Sequence, residues 1–142
     1  MIKEECGQIS LEYILIFTIS LIILMIFTLP LAENSIKDTL DIYDSLNVKS
    51  DLSKISCAIK QVYGQGQGSK QTVKLESKNN LNVNVQNNYI STSFKLKNNS
   101  KKDIKEYVVS NIKKSSLHLT KGENVIVVEW PINCENMLIY QV

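Results

Sequence analysis

The chain has 142 residues, which is enough for one ordinary domain or for a smaller domain with an appendage. With 44% hydrophobic residues, 21% charged residues and a formal net charge of +2, it is neither a disordered charged tail nor a strongly basic nucleic-acid module. All 16 basic residues are Lys, so bidentate Arg contacts with phosphate or guanine are excluded. One His and three Cys leave little material for a metal site, and we expect no metal, no cofactor and no nucleic-acid partner.

The apolar residues are concentrated near the N-terminus. Residues 13–32 read YILIFTISLIILMIFTLPLA and contain no charged side chain. Twenty residues of α-helix span about 30 Å, the thickness of the hydrocarbon core of a bilayer. The hydroxyls of Thr18 and Thr28 can donate to helical carbonyls and so need no water. This run predicts a helix that spans the membrane, and a buried core helix is the alternative.

The residues around the run distinguish it from an ordinary secretory signal. The leader MIKEECG carries one Lys and two Glu, whereas a secretory leader is basic. The run also exceeds the roughly 7–15 apolar residues of such a signal, and Pro30 stands where the cleavage site needs a small residue. A plain uncleaved anchor remains an alternative, and its flanking charges do not orient it.

A short motif just before the apolar run gives a more specific interpretation. Gly7 and Gln8 are adjacent, and Glu12 is the fifth residue of a chain that begins at Gln8. This pattern resembles the class III signal peptide of archaeal type IV pilin-like proteins. The resemblance implies that residues 1–7 are a prepilin leader and that a prepilin peptidase cuts between Gly7 and Gln8. Residues 8–32 would then stay on the mature chain as its transmembrane and assembly helix.

Glu12 has a physical role in this interpretation. A carboxylate beside an apolar helix is costly unless it is paired. Cleavage creates an ammonium group on Gln8, about one helical turn away, and in a helical bundle that group can pair with Glu12 of a neighbouring subunit. The alternative is that Glu12 lies at the level of the lipid headgroups.

Helical periodicity continues, and we expect residues 33–63 to form an amphipathic helical region. A first short stripe of apolar side chains consists of Ile36, Leu40 and Tyr43. A longer second stripe has helical spacing and consists of Val48, Leu52, Ile55, Ile59 and Val62. The two stripes differ by roughly a third of a turn, so we expect a bend or break between Asp44 and Asp51. The polar residues expected to face solvent are Asp38, Asp41, Lys49, Lys54 and Lys60.

From residue 64 onward the pattern changes to a period of two. The segment GQGQGS at 64–69 ends the helix and matches neither a phosphate loop nor a dinucleotide fingerprint. Together with the following TVKL, it resembles the helix-to-strand passage of archaeal pilins. Alternation of apolar and polar residues predicts half-buried strands at about 72–76, 81–86 and 90–97.

The end of the chain is read in the same way. The apolar runs at 125–130 and 137–140 predict central strands, and residues 120–124 predict a hairpin turn. Residues 104–113 fit either period. We therefore predict an α+β fold, in which a long pilin-like N-terminal helix, hydrophobic and then amphipathic, precedes a small antiparallel β domain at 64–142.

Removal of a leader that ends at Gly7 would change the cysteine count. It would take away Cys6 and leave Cys57 and Cys134 as an even pair. We expect these two to form a disulfide that joins the helix to the last strand, which an exported protein can retain. Two separately buried thiols are the alternative.

Three surface features have ordinary explanations beside functional ones. Asn98 begins an Asn-Asn-Ser glycosylation sequon, and such sequons also arise by chance in Asn-rich chains. A group of lysines is read as a solvated face or as a weakly basic contact for acidic surfaces: Lys95, Lys97, Lys101, Lys102 and Lys105. His118, between two leucines, is read as a surface histidine.

Two functions from different classes follow. By its resemblance the chain is a structural subunit, major or minor, of an archaeal pilus-like surface filament. Its implied partners are the prepilin peptidase, an assembly platform and identical or related pilins, with a membrane stage before assembly and a role in adhesion. The alternative is a single-pass membrane-anchored surface module that binds a partner and does not polymerise. We expect no enzyme, because one His and no nucleophile–base pattern give catalysis little to use.

Overall fold

The structure, a computed structural model, describes residues 2–97, 99–109 and 111–142, with side chains from Leu11 onward. Within that part of the chain, one helix precedes seven strands. The elements are α1 (Ile2–Gln65), β1 (Lys70–Ser77), β2 (Leu81–Val85), β3 (Tyr89–Lys95), β4 (Lys101–Tyr107), β5 (Ser115–Leu119), β6 (Gly122–Glu129) and β7 (Leu138–Gln141). The predicted α+β class is confirmed.

The chain divides into two compact units, Met1–Thr39 and Leu40–Val142. The first holds the N-terminal part of α1, and the second holds the rest of α1 together with all seven strands. The sequence predicts a bend or break between Asp44 and Asp51. The backbone is helical throughout this segment, so a break is wrong, and the bend stays a prediction. No break is needed because only the second apolar stripe is buried, and the phase of the first stripe is therefore unconstrained.

The strands form two antiparallel sheets. A three-stranded sheet has the order β1-β6-β7, and a four-stranded sheet has the order β4-β3-β2-β5. The sheets meet where Ile112 and Met137 form a parallel bridge. Beside it, the Met137 N–H donates to the Asn111 carbonyl at 2.8 Å and the Lys113 N–H donates to the Met137 carbonyl at 2.9 Å.

Two predictions about strand positions are wrong. Residues 120–124 do not close a hairpin, because β5 belongs to the four-stranded sheet and β6 to the three-stranded one. The crossing is held by buried Asn124, which accepts from the Thr120 N–H at 2.9 Å and donates to the Gly122 carbonyl at 2.9 Å. β6 is central as predicted, but β7 lies at the end of its sheet order, with Tyr140 exposed.

The core lies between the C-terminal part of α1 and the inner sides of the sheets. The predicted second stripe is confirmed, since each of its five members is buried: Val48, Leu52, Ile55, Ile59 and Val62. The sheets add alternate apolar residues, among them Val83, Ile90, Leu119, Ile126 and Val128. This burial is what holds the helix on the strands, at roughly 1.5 to 3 kcal/mol for each large aliphatic side chain.

The prediction that Ile36, Leu40 and Tyr43 form the packed face of the helix is wrong, and polar residues are buried at this level instead. Ile36 and Tyr43 are exposed, whereas Asp41 and Ser45 are each only 7% exposed. Asp41 was expected to face solvent, but its Oδ1 accepts a hydrogen bond from the Lys97 N–H at 2.7 Å. The helix is therefore attached at this level by polar contacts, which hydrophobic periodicity does not detect.

Candidate functional site: the exposed apolar helix segment

The N-terminal part of α1 keeps its apolar side chains on the outside. Every side chain from 11 to 40 is exposed, including Ile22 at 51% and Phe27 at 68%. Within the described residues, this helix is the one that is long and apolar enough to cross a membrane. We call residues 13–32 the apolar segment. Its Leu, Ile and Phe residues each favour a hydrocarbon environment by about 0.3 to 0.6 kcal/mol at a helix centre.

The polar side chains of the apolar segment are satisfied within the helix. Thr18 Oγ1 donates to the Ile14 carbonyl at 2.8 Å, and Thr28 Oγ1 donates to the Leu24 carbonyl at 2.8 Å. Neither hydroxyl therefore needs a water partner, as the sequence predicts. Pro30 lies inside the helix near the end of the segment. The surface that results suits lipid or other apolar helices and is unsuited to water.

The predicted processing and assembly residues lie at the start of this helix. Gly7 and Gln8 lie outside the residues whose side chains are described, although the backbone there is helical. The predicted cut between them therefore stays a prediction. Glu12 is exposed, and it makes no ion pair within the described part of its own chain.

The two predicted disulfide cysteines are separate in the structure. Cys57 on α1 and Cys134 in the β6–β7 connection are both exposed free thiols. The Cys134 carbonyl accepts from Trp130 Nε1 at 2.8 Å and from Gln67 Nε2 at 3.1 Å, which fixes the connection next to the end of α1. The Tyr63 and Trp130 rings stack there with centroids 5.7 Å apart. The disulfide itself stays a prediction.

The sequon lies in the β3–β4 connection, where Asn98 is outside the described residues. Its flanking residues form a hydrogen bond from the Leu96 N–H to the Ser100 carbonyl at 2.9 Å, and Asn99 has a φ of 66°.

Sequence reasoning missed Asp41, whose carboxylate accepts a hydrogen bond from the Lys97 N–H of this connection. A polar residue within a helical stripe does not by itself indicate burial in a hydrogen bond, because the partner of Asp41 is 56 residues away in the chain.

The remaining candidates do not assemble into a catalytic constellation. His118 is exposed on β5 and its Nδ1 lies against Asn82 Oδ1 on β2. No group of three or more His, Cys, Asp or Glu that could hold a metal occurs in the described residues. The most distinctive surface is therefore the apolar segment with Glu12 at its beginning.

One comparison with known proteins matches this same surface. Residues 7–31 match the family described as Class III signal peptide. No curated protein and no solved structure matches the chain. The match begins at Gly7 and covers most of the apolar segment, and with the long apolar helix it fits a prepilin-like protein. It points to a secreted protein of the type IV pilin-like or archaellin-like kind.

Proposed function

We propose that the chain is a structural subunit, major or minor, of an archaeal type IV pilus-like surface filament. One observation carries the proposal: the apolar side chains of residues 13–32 are exposed in a helix whose start matches a class III signal peptide. Such a surface is suited to a bilayer and also to packing against copies of itself. A filament interior provides that second environment.

Processing is the step that connects the two environments. A prepilin peptidase would cut between Gly7 and Gln8 while the apolar segment spans the membrane once. The new ammonium group on Gln8 would pair with Glu12 of a neighbouring subunit, and an assembly platform would bring identical or related pilins together. The pairing places opposite charges in a low dielectric, where one unpaired charge costs several kcal/mol, so it fixes the register of packed helices.

The strand-containing unit, Leu40–Val142, would then be the part of the subunit exposed on the cell surface. Its role in this proposal is structural and adhesive rather than enzymatic. The exposed free thiols and the surface position of His118 offer no nucleophile–base pair. Before assembly the protein would be a single-pass membrane protein, and after assembly it would be part of an extracellular filament.

The first test is the N-terminal mass of the protein from native membranes and from sheared cell-surface material. We expect a chain that begins at Gln8 in both fractions. An intact Met1 terminus confined to the membrane would contradict the proposal and support the alternative, a single-pass anchored module that does not polymerise.

A variant at Glu12 separates a filament subunit from an anchored module. Glu12→Ala should remove the chain from the sheared fraction and leave the amount in the membrane unchanged, because only polymerisation needs the pairing. Glu33→Ala is the matched control, since Glu33 is also an exposed glutamate on the N-terminal part of α1. Wild-type amounts of the Glu12 variant in sheared material would exclude the assigned role of Glu12.

A further inference from the structure

The four-stranded sheet has one side that does not pack on the core. Along β3 the residues Ile90, Thr92 and Phe94 are buried, whereas the alternating residues from Tyr89 to Lys95 point the other way. The same alternation runs through its neighbours, with Asn82 and Asn84 exposed on β2. We call this side, formed by the outward residues of β2 to β5, the outer face. It lacks aliphatic side chains at these positions and is rich in Tyr, Ser, Asn and Lys.

One end of the outer face carries two aromatic rings. Tyr89 on β3 is directly opposite Tyr107 on β4, and their ring centroids are 6.4 Å apart in an edge-to-face arrangement. Tyr107 is 71% exposed, which is unusual for so large a ring. Lys105 Nζ lies 5.6 Å from the Tyr89 ring centroid. This end of the face therefore offers a stacking surface on Tyr107 and a positive charge on Lys105.

The other end carries two like charges that face each other. Lys95 and Lys101 are paired across β3 and β4, and like charges at such positions repel. Neither is in an ion pair within the part of the chain that the structure describes. They border an open hollow of about 220 Å³, whose other lining residues are Ser93 and Phe94. An anionic group in this hollow would relieve the repulsion.

The distribution of charge favours an anionic partner for the whole face. Residues 81–119, which contain β2 to β5, carry seven Lys against Asp103 and Glu106, a formal charge of +5. The rest of the chain carries nine Lys against twelve acidic residues, a charge of −3, which gives the net +2. On the outer face itself Lys95, Lys101 and Lys105 stand against Asp103, a formal charge of +2, and a positive face raises the local concentration of polyanions.

We propose that the outer face binds an acidic polysaccharide. Its carboxylate groups would pair with Lys95, Lys101 and Lys105, and one sugar ring would stack on Tyr107. The exposed Asn and Ser side chains at the centre of the face would exchange hydrogen bonds with sugar hydroxyls. A nucleic acid is less suited, because the face holds no Arg fork for phosphate and Lys acts only as a point charge.

The test uses the full chain in detergent micelles and measures binding to polygalacturonate by calorimetry at low salt. We expect saturable binding that weakens as salt is added, and no binding to neutral dextran. Lys105→Ala should weaken binding about two- to fivefold, and Tyr107→Ala about two- to tenfold. Tyr107→Phe keeps the ring and should bind as the wild type does.

Two further variants test whether negative charge on the outer face weakens binding and whether the effect is confined to that face. Asp103→Asn removes the carboxylate of the outer face, opposite Ser93, and should tighten binding about two- to fivefold. Lys60→Ala is the matched control, since Lys60 is an exposed lysine of α1 outside this face. An equal loss in Lys60→Ala, an absence of binding to polygalacturonate, or tighter binding to duplex DNA of equal charge would each overturn the proposal. Binding needs the folded sheet and not the filament, so the result is independent of the test on Glu12.

Discussion

The N-terminal and C-terminal parts of α1 differ in where their apolar side chains lie. In the apolar segment, residues 13–32, the helix is apolar on all sides, and from Leu11 to residue 39 it buries none of its described side chains. From Leu40 onward it is amphipathic, and the stripe from Val48 to Val62 is buried against the strands. A helix that is apolar all round needs an apolar environment that its own chain does not provide, whereas an amphipathic helix needs only a sheet.

Because of this difference, apolar burial in the two parts contributes to two different free energies, that of folding and that of membrane insertion or assembly. Burial of Ile55 and Ile59 belongs to the folding of Leu40–Val142, so it is lost when that unit unfolds. Burial of Ile22 or Phe27 belongs to insertion or assembly and contributes nothing to the folding of the strand-containing unit. Substitutions in the two parts should therefore have separable effects.

The largest effect is expected in the buried stripe. Ile59→Ala should lower the free energy of unfolding by about 2 to 5 kcal/mol, because Ile59 is 0% exposed and its removal leaves a cavity. The measurement is urea unfolding of the detergent-solubilised chain, followed by the fluorescence of the single Trp, Trp130. Ile22→Ala is the control and should change this value by less than about 0.5 kcal/mol. Equal losses in the two variants would disprove the separation.

A charge in the apolar segment should produce the opposite pattern. Ile22→Lys should disfavour membrane insertion by about 3 kcal/mol, since Ile22 lies near the middle of residues 13–32. The fraction retained in membranes after alkaline extraction reports this change, and Ile22→Leu is the conservative control. The urea unfolding of the strand-containing unit should stay at its wild-type value, and a shift there would mean that the two parts fold together.

Hydrophobic pattern predicted the features that depend on apolar spacing alone. The apolar segment, the stripe from Val48 to Val62 and the alternation in β2 and β3 are all in the structure. Each can be read from neighbours within a few turns or strand residues. Sheet membership cannot, because whether β5 pairs with β6 or with β2 depends on contacts between distant residues.

The failures on α1 have the same cause. The helix face at Asp41 and Ser45 is buried because the β3–β4 region supplies polar partners, Lys97 to Asp41 and Lys102 to Ser45. A helical stripe drawn from Leu40 and Tyr43 ignores these partners and points to the wrong face. The sequence predicted the candidate site, the apolar segment. It also grouped Lys95, Lys101 and Lys105 with neighbouring lysines as a solvated face or a weakly basic contact for acidic surfaces, but it could not predict the outer face, because that face exists only when four strands are aligned.

The polar contact between Asp41 and the Lys97 N–H should contribute less to the free energy of unfolding than the buried apolar stripe does. Asp41→Ala removes the acceptor of the Lys97 N–H and should lower the free energy of unfolding by about 1 to 2 kcal/mol. Asp41→Asn should cost less than Asp41→Ala, because its amide oxygen can still accept from the Lys97 N–H. Asp38→Ala, at an exposed position, is the control. Faster hydrogen exchange at the Lys97 amide in Asp41→Ala would locate the effect, and unchanged exchange would contradict it.

The smallest effect is expected at Asp51, the second buried carboxyl on α1. It is 6% exposed, and burial raises its pKa above the ordinary value of 3.8, while the nearby Lys54 charge and a hydrogen bond with Ser77 lower it. A raised pKa means that the folded state prefers the protonated form, so the stability from this group is present below about pH 3.8 and is lost as pH rises through the raised pKa.

Asp51→Asn removes this titration and keeps a side chain of nearly the same shape. At pH 7 it should raise the free energy of unfolding by about 0.5 kcal/mol, at the small end of single-substitution effects. The gain should shrink as pH is lowered toward about 4, since the wild-type carboxyl then becomes neutral as well. Urea unfolding of both proteins across this pH range gives the difference, and Asp38→Asn, at an exposed position, should show none. A gain that grows toward low pH would mean that the carboxylate stabilises the fold, and that burial is not the dominant influence on Asp51.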